Sequence, residues 1–154
     1  MSERPVPVET VKAAAAGADR ERSLGHELKG LRVLLVDDDT DTCKMLTFAL
    51  NLLGAETQSS TSVSDAFISL AQRLPDVLLA DINMPGEDGY SLISKLRALP
   101  PEKGSNIPAI AITAMARPED SEKVILAGFQ AHFPKPIDIE ELSVAIASLT
   151  KNKI

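Results

Sequence analysis

An α/β fold built on a five-stranded parallel sheet is what this sequence predicts, and three observations predict it. Short apolar runs, Leu31–Val36 first among them, recur between segments of helical periodicity, five strand-then-helix alternations in all. One run, Val77-Leu78-Leu79-Ala80, is apolar at every position and bounded by Pro75-Asp76 and Pro85-Gly86, as expected of a strand buried on both faces. Polar side chains stand at the C-terminal ends of four strands: Asp37 and Asp38, Asp81, Thr113, and Lys135. In an open parallel sheet that edge is where ligands bind.

The chain has 154 residues, enough for one domain with a core of ordinary size and a tail. Its 22 acidic and 16 basic residues leave a net charge of -6, so no basic stripe is available to neutralise nucleic-acid phosphates. Aromatic residues make up 3% of the chain and Trp is absent, which argues against a base-stacking surface. Cys43 is the single cysteine, so an internal disulfide and a thiol-rich metal site are excluded; it is expected to pack on a helix. No apolar run approaches membrane-spanning length and the N-terminus lacks the apolar core of a signal peptide. A soluble, cytoplasmic chain without membrane insertion is expected.

Residues 1–30 form a segment of different character: Pro5 and Pro7, the alanine run Ala13–Ala16, and a mixed-charge stretch with few large apolar side chains. Little there can be buried to offset ordering entropy, so it is expected to be a flexible linker or tail. The domain is expected over 31–150, with 151–154 a C-terminal tail.

The elements follow in order. Leu31–Val36 is the first strand. Asp37-Asp38-Asp39-Thr40-Asp41 comes next, of which Asp39, Thr40 and Asp41 suit a helix start and Asp37 and Asp38 remain for another purpose. A helix over about Asp41–Leu53 presents Met45, Leu46, Ala49, Leu50 and Leu53 as its stripe, and Gly54 ends it. Glu56–Ser59 is a strand polar enough for a sheet edge. Ser62–Arg73 is a helix buried through Val63, Ala66, Phe67 and Leu70. After the central strand, the loop Asn83–Asp88 leads into a helix from Gly89 to Leu99, buried through Leu92, Ile93 and Leu96. Glu102–Asn106 is expected to be an exposed loop and Ile107–Ile112 a strand. Pro118 opens a fourth helix that ends at Ala127 before Gly128. Gln130–Phe133 is the fifth strand, and the last helix runs from Asp138 or Ile139 to about Leu149.

Crossovers of this length are right-handed and cover both faces of the sheet. In the doubly wound, flavodoxin-like order 2-1-3-4-5, strands one and three are neighbours at the switch point, so Asp37 and Asp38 meet Asp81. Carboxylates crowded there repel unless one is protonated or a cation is present. Hard oxygen ligands, few in number, suit Mg²⁺ bridging to phosphate oxygens. Lys135 adds a fixed positive charge and Thr113 a hydroxyl, which together make a cradle for a phosphoryl group whose acceptor is a carboxylate. Neither G-x-x-x-x-G-K-[ST] nor G-x-G-x-x-G occurs, so the phosphoryl group must come from another molecule.

On these residues the sequence resembles a receiver domain of the two-component response-regulator family over about Gly30–Leu149. The resemblance implies that Asp81 is the phosphoacceptor. It implies Mg²⁺ held directly by Asp38, Asp81 and the backbone carbonyl of Asn83, with Asp37 acting mainly through a metal-bound water. Thr113 becomes the switch hydroxyl, Lys135 the partner of the phosphoryl group, and the Lys135-Pro136 bond cis. His132 stands where the family commonly has the Tyr or Phe that moves with the switch hydroxyl. Asn83 and Met115 take the two positions that tune hydrolysis of the acyl phosphate; apolar Met115 cannot orient a water, so slow self-dephosphorylation is expected.

The stretches Asp81–Tyr90, Ile112–Ala116 and Gly128–His132 are most similar to receivers of hybrid sensor histidine kinases. The implied partner is a histidine kinase or histidine phosphotransfer protein, with no nucleic acid bound directly and a phosphorylation-dependent dimer within the family's range. The implied role is signalling and not turnover of a substrate. His26-Glu27-Leu28-Lys29 is similar to a histidine-kinase phosphoacceptor box, but a strand begins where that box needs a long helical hairpin. Two rivals are a haloacid-dehalogenase-like phosphatase and a receiver that is never phosphorylated. The first needs a second Asp two residues after the nucleophile, where Asn83 stands; against the second, all five functional positions are intact.

Overall fold

A computed structural model describes residues 27–114 and 118–151. Five strands are laid down in sequence: β1 (Arg32–Val36), β2 (Glu56–Ser60), β3 (Val77–Asp81), β4 (Ala109–Thr113) and β5 (Ala131–Pro134). The helices between and after them are α1 (Thr40–Leu52), α2 (Val63–Gln72), α3 (Gly89–Arg97), α4 (Pro118–Ala127) and α5 (Ile139–Thr150). All pairings are parallel and the strand order is β2-β1-β3-β4-β5, the order expected from the sequence.

Strand side chains alternate between two cores, because successive Cβ atoms point to opposite faces. Val33, Leu35, Val77, Leu79, Ile110 and Ile112 meet Leu46 and Leu50 of α1 and Leu142 and Ile146 of α5. On the other face Leu34, Val36, Leu78, Ala80, Ala109 and Ala111 meet α2, α3 and α4 through residues such as Leu70, Leu92, Ile93 and Val124. The central strand β3 is buried at all of its positions, while edge strand β2 is mostly exposed, both as their compositions require. Gly89 lets the start of α3 lie close against the end of β3, since a Cβ there would lie 2.8 Å from the Asp81 carbonyl oxygen.

Three local readings are corrected. The buried stripe of α1 is Cys43, Leu46 and Leu50, and Met45 is exposed, so the true face is turned a fraction of a turn from the expected one. Glu102–Asn106 is not simply an exposed loop: Pro101–Lys103 form a 3₁₀ turn, and Gly104 after it is buried. Leu28, placed by composition in the tail, is fully buried in the α1/α5 core. Its amide donates to the Leu53 carbonyl at 2.9 Å, pinning residues 27–30 over the end of α1. His26 and Met115 lie outside the described residues.

Candidate phosphoacceptor site

At the C-terminal edge of the sheet Asp37, Asp38, Asp81 and Lys135 converge on the gap between β1 and β3. The β1 strand delivers Asp37, whose amide extends the ladder to the Ser60 carbonyl at 3.0 Å and whose side chain is fully buried. Oδ1 of Asp37 accepts the Asp39 amide at 2.9 Å. Asp39 is the N-cap of α1: it accepts the Asp41 amide at 3.1 Å and the Thr42 hydroxyl at 2.7 Å. Of the four-carboxylate cluster, Asp39 and Asp41 therefore serve the helix, and Asp37 and Asp38 face the site. Asp38 is exposed at its mouth.

Asp81 ends β3 with 5% of its surface exposed. Its Oδ1 accepts the amide of Asn83 at 2.8 Å, which orients the carboxylate and leaves Oδ2 toward Lys135. The Lys135 Nζ, from the end of β5, lies 2.9 Å from Asp37 Oδ2 and 3.3 Å from Asp81 Oδ2. The Lys135-Pro136 bond is cis. Carboxylate oxygens of Asp37, Asp38 and Asp81 all come within 4.8 Å of one another.

The electrostatics follow from burial. Desolvation pushes the Asp37 carboxyl above the usual carboxylate range, opposed by the Asp39 amide and by Lys135, and the charge of Asp81 pushes it further up. Burial works to lower Lys135, but its contacts with Asp37 and Asp81 together hold it above the ordinary lysine value. Three carboxylates facing one ammonium, all-oxygen and with one member open to water, are a donor set that fits a small hard divalent cation.

Thr113, at the end of β4, is 1% exposed, and its Oγ1 donates to Asn83 Oδ1 at 3.0 Å. This bond was not foreseen, because nothing in the sequence links two loop-end residues 30 positions apart. His132 pairs in register with Ala111 and so faces the α3/α4 side of the sheet, half-buried. Its Nδ1 lies 3.5 Å from Ser121 Oγ of α4, and its buried Nε2 has no hydrogen-bond partner among the described residues.

Compared with known families, residues 33–147 match the response regulator receiver domain. The chain belongs to that family.

Among its relatives, the receiver is 41% identical over 115 residues to an uncharacterised 14.6 kDa protein of Leptolyngbya boryana, covering 75% of this chain and 86% of that one. It is 39% identical over 128 residues to hybrid signal transduction histidine kinase D of Dictyostelium discoideum, covering 79% of this chain but 8% of the kinase. Its fold superimposes on the receiver domain of the Francisella response regulator 1452 with a TM-score of 0.73 at 26% identity, covering 81% of this chain and all 100% of that one. The signal receiver domain of a histidine kinase from Syntrophus aciditrophicus gives 0.71 at 25% identity, covering 80% and 92%. A receiver of two-component signalling is therefore what the chain is, and the phosphatase alternative is not favoured. Among the described residues no helix is long and apolar enough to cross a membrane.

Proposed function

We propose that this receiver takes a phosphoryl group from a phosphohistidine onto Asp81 and uses it to change a protein-interaction surface. The observation that carries the reading is Lys135, whose ammonium reaches both Asp37 and Asp81 where, among the described residues, three carboxylates converge. Such a site holds positive charge against a carboxylate, which is what a phosphoryl acceptor needs as anionic oxygens arrive.

In the proposed transfer an Asp81 carboxylate oxygen attacks phosphorus in line. The P–N bond to the donor imidazole breaks, and the leaving nitrogen retains the bonding pair. Asp38, Asp81 and the Asn83 carbonyl are the proposed direct ligands of Mg²⁺, with Asp37 acting through water; bound there, the ion would neutralise charge on the phosphoryl oxygens. Lys135 pairs with one phosphoryl oxygen. The Asn83 amide keeps Asp81 oriented by holding Oδ1. Thr113 then exchanges its bond to Asn83 for one to the phosphoryl group, and His132 follows it inward, altering the face formed by α4, β5 and α5. That face is also where a phosphorylation-dependent dimer would form. Asn83 and Met115 are the proposed tuners of hydrolysis, and the acyl phosphate is expected to decay slowly.

The donor's docking surface is proposed on α1. Its N-terminal cap, Asp39, adjoins the site, and Met45, Phe48 and Leu52 along one side are 49%, 68% and 62% exposed. A histidine-bearing helical partner, a histidine kinase or phosphotransfer protein, covers these side chains while its histidine reaches Asp81. The proposed setting is cytoplasmic, and residues 1–26 are proposed to act as a linker.

The test is phosphotransfer from labelled histidine kinases and phosphotransfer proteins of the same source. Label should pass to the wild type and not to Asp81→Asn, and Phe48→Asp should slow transfer from protein donors while leaving small phosphodonors unaffected. Label reaching Asp81→Asn as fast as wild type would refute the assignment.

A further inference from the structure

Arg97, the last residue of α3, sits at the end of the sheet opposite Asp81, and the phosphoryl chemistry makes no use of it. A guanidinium carries five N–H donors. Here Nε donates to the Gly128 carbonyl at 3.1 Å and Nη2 to the same oxygen at 2.7 Å. Nη1 donates to the carbonyls of Ser105 at 2.8 Å and Ile107 at 2.6 Å, and Nη2 also reaches Gln130 Oε1 at 3.1 Å. Every one of these acceptors is neutral. Partial burial lowers the Arg97 pKa, so this half-buried cation is directed at backbone carbonyls and a neutral side-chain amide and not at an ion pair.

The segments it holds are the entries to β4 and β5. Gln130 grips Ala109 twice, its amide donating to the Ala109 carbonyl at 2.8 Å and its Oε1 accepting the Ala109 amide at 2.7 Å. Gly128, the residue after α4, has φ +123°, and a Cβ there would lie 3.2 Å from both Arg97 Cγ and Ile93 Cγ1. The C-terminal end of α4 is therefore held by two hydrogen bonds to one carbonyl and by close packing. Nearer the site, α4 meets the neighbouring elements through Ser121, with Oγ 3.5 Å from His132, and Lys123, with Nζ 4.7 Å from the centre of the Tyr90 ring, while the charge of Asp120 acts on both His132 and Tyr90.

We infer that Arg97 is the positioning residue of the output helix: it clamps the C-terminal end of α4, so that a change beginning at Thr113 swings the helix about Gly128. A rod about 15 Å long, fixed at one end, turns a small displacement near Thr113 into a tilt of its exposed face. The clamp itself is independent of phosphorylation; the swing rests on the function proposed above.

The experiment is amide hydrogen exchange on the full chain, with and without Mg²⁺ and phosphoramidate, for wild type, Arg97→Ala and Arg97→Lys. In Arg97→Ala, amides from Val124 to Phe129 should exchange about tenfold faster while those of α1 and α5 change little. Asp81 should still be phosphorylated at the wild-type rate, but the phosphorylation-dependent change in α4 should shrink. Arg97→Lys keeps the charge and loses the fork, so it should recover only part of the protection. Should Arg97→Ala fold poorly, Gln130→Ala is the milder cut and should loosen the same amides. Unchanged α4 exchange, or loosening spread equally over all helices, would overturn the inference. A wild type that takes no phosphate would instead sink the proposed function and leave the clamp to be judged by exchange alone.

Discussion

The Nζ of Lys135 lies 3.3 Å from Oδ2 of Asp81, across a gap that also brings it to the fully buried Asp37. One ammonium from β5 thus partly neutralises carboxylates from β1 and β3. Removing it leaves Asp37 buried beside Asp81 without its counter-ion. Lys135→Met should therefore destabilise the metal-free domain by about 1–3 kcal/mol, less than for a wholly buried pair because the lysine is partly exposed. Urea unfolding measures this, and added Mg²⁺ should restore more stability to the variant than to wild type. A variant as stable as wild type without Mg²⁺ would show that the ammonium is not the apo counter-ion.

Asp38 is the open member of the trio, so its loss should affect the metal and spare the fold. Asp38→Ala is expected to slow phosphorylation by at least about a hundredfold, the scale of losing several kcal/mol of charge stabilisation. Relief of repulsion should leave unfolding in the absence of metal unchanged or slightly harder. Wild-type phosphorylation rates in this variant would remove Asp38 from the site.

The Thr113–Asn83 bond makes a prediction about the resting state. If Asn83 holds the switch hydroxyl away from Asp81, Asn83→Ala should shift the unphosphorylated domain toward the active surface by about 1 kcal/mol, roughly fivefold in population. Thr113→Ala should do the reverse: accept phosphate at Asp81 and fail to move the α4–β5–α5 face. NMR shifts of β5 and α5 amides report both. The lock is refuted by Asn83→Ala shifts identical to wild type, and the switch by a full phosphorylation response in Thr113→Ala.

How much of this was readable from the sequence depended on whether a signal was local. The run Val77–Ala80 announced a doubly buried strand, and the polar residues that the fold gathers at the sheet edge could be picked out because they stand just after strands. Asp37 and Asp38 could be separated from Asp39 and Asp41 because helix caps have known chemistry. Less legible was the α1 face, where Leu46 and Leu50 fit a stripe completed by Cys43 as well as one completed by Met45, and packing decided for the smaller side chain. Leu28 was hidden by its polar surroundings, since one apolar residue has no periodicity. Arg97 had a faint signal: it stands four residues after buried Ile93, so it falls on the inner stripe of α3, where a charged residue needs partners. Those partners, like the one Thr113 finds in Asn83, lie far off in sequence and emerge only on folding.

His132 supplies the pH prediction. Burial lowers its pKa below the ordinary value of 6.5, with Asp120 opposing more weakly. For a base depressed in the folded state, the stabilising contribution is present above 6.5 and is lost as pH falls through the folded value. The melting temperature should accordingly drop with acidification below about pH 6.5, and His132→Phe should flatten that part of the curve. Equal slopes in the two proteins would place the titration elsewhere.

The central claim is that Asp81 is a phosphoacceptor, and the mass of the intact protein after incubation with phosphoramidate and Mg²⁺ tests it most directly. The account predicts one adduct of about 80 Da, mapping to Asp81 and absent from Asp81→Asn. No adduct on a folded, Mg²⁺-saturated wild type, or an adduct that persists in Asp81→Asn, would contradict it.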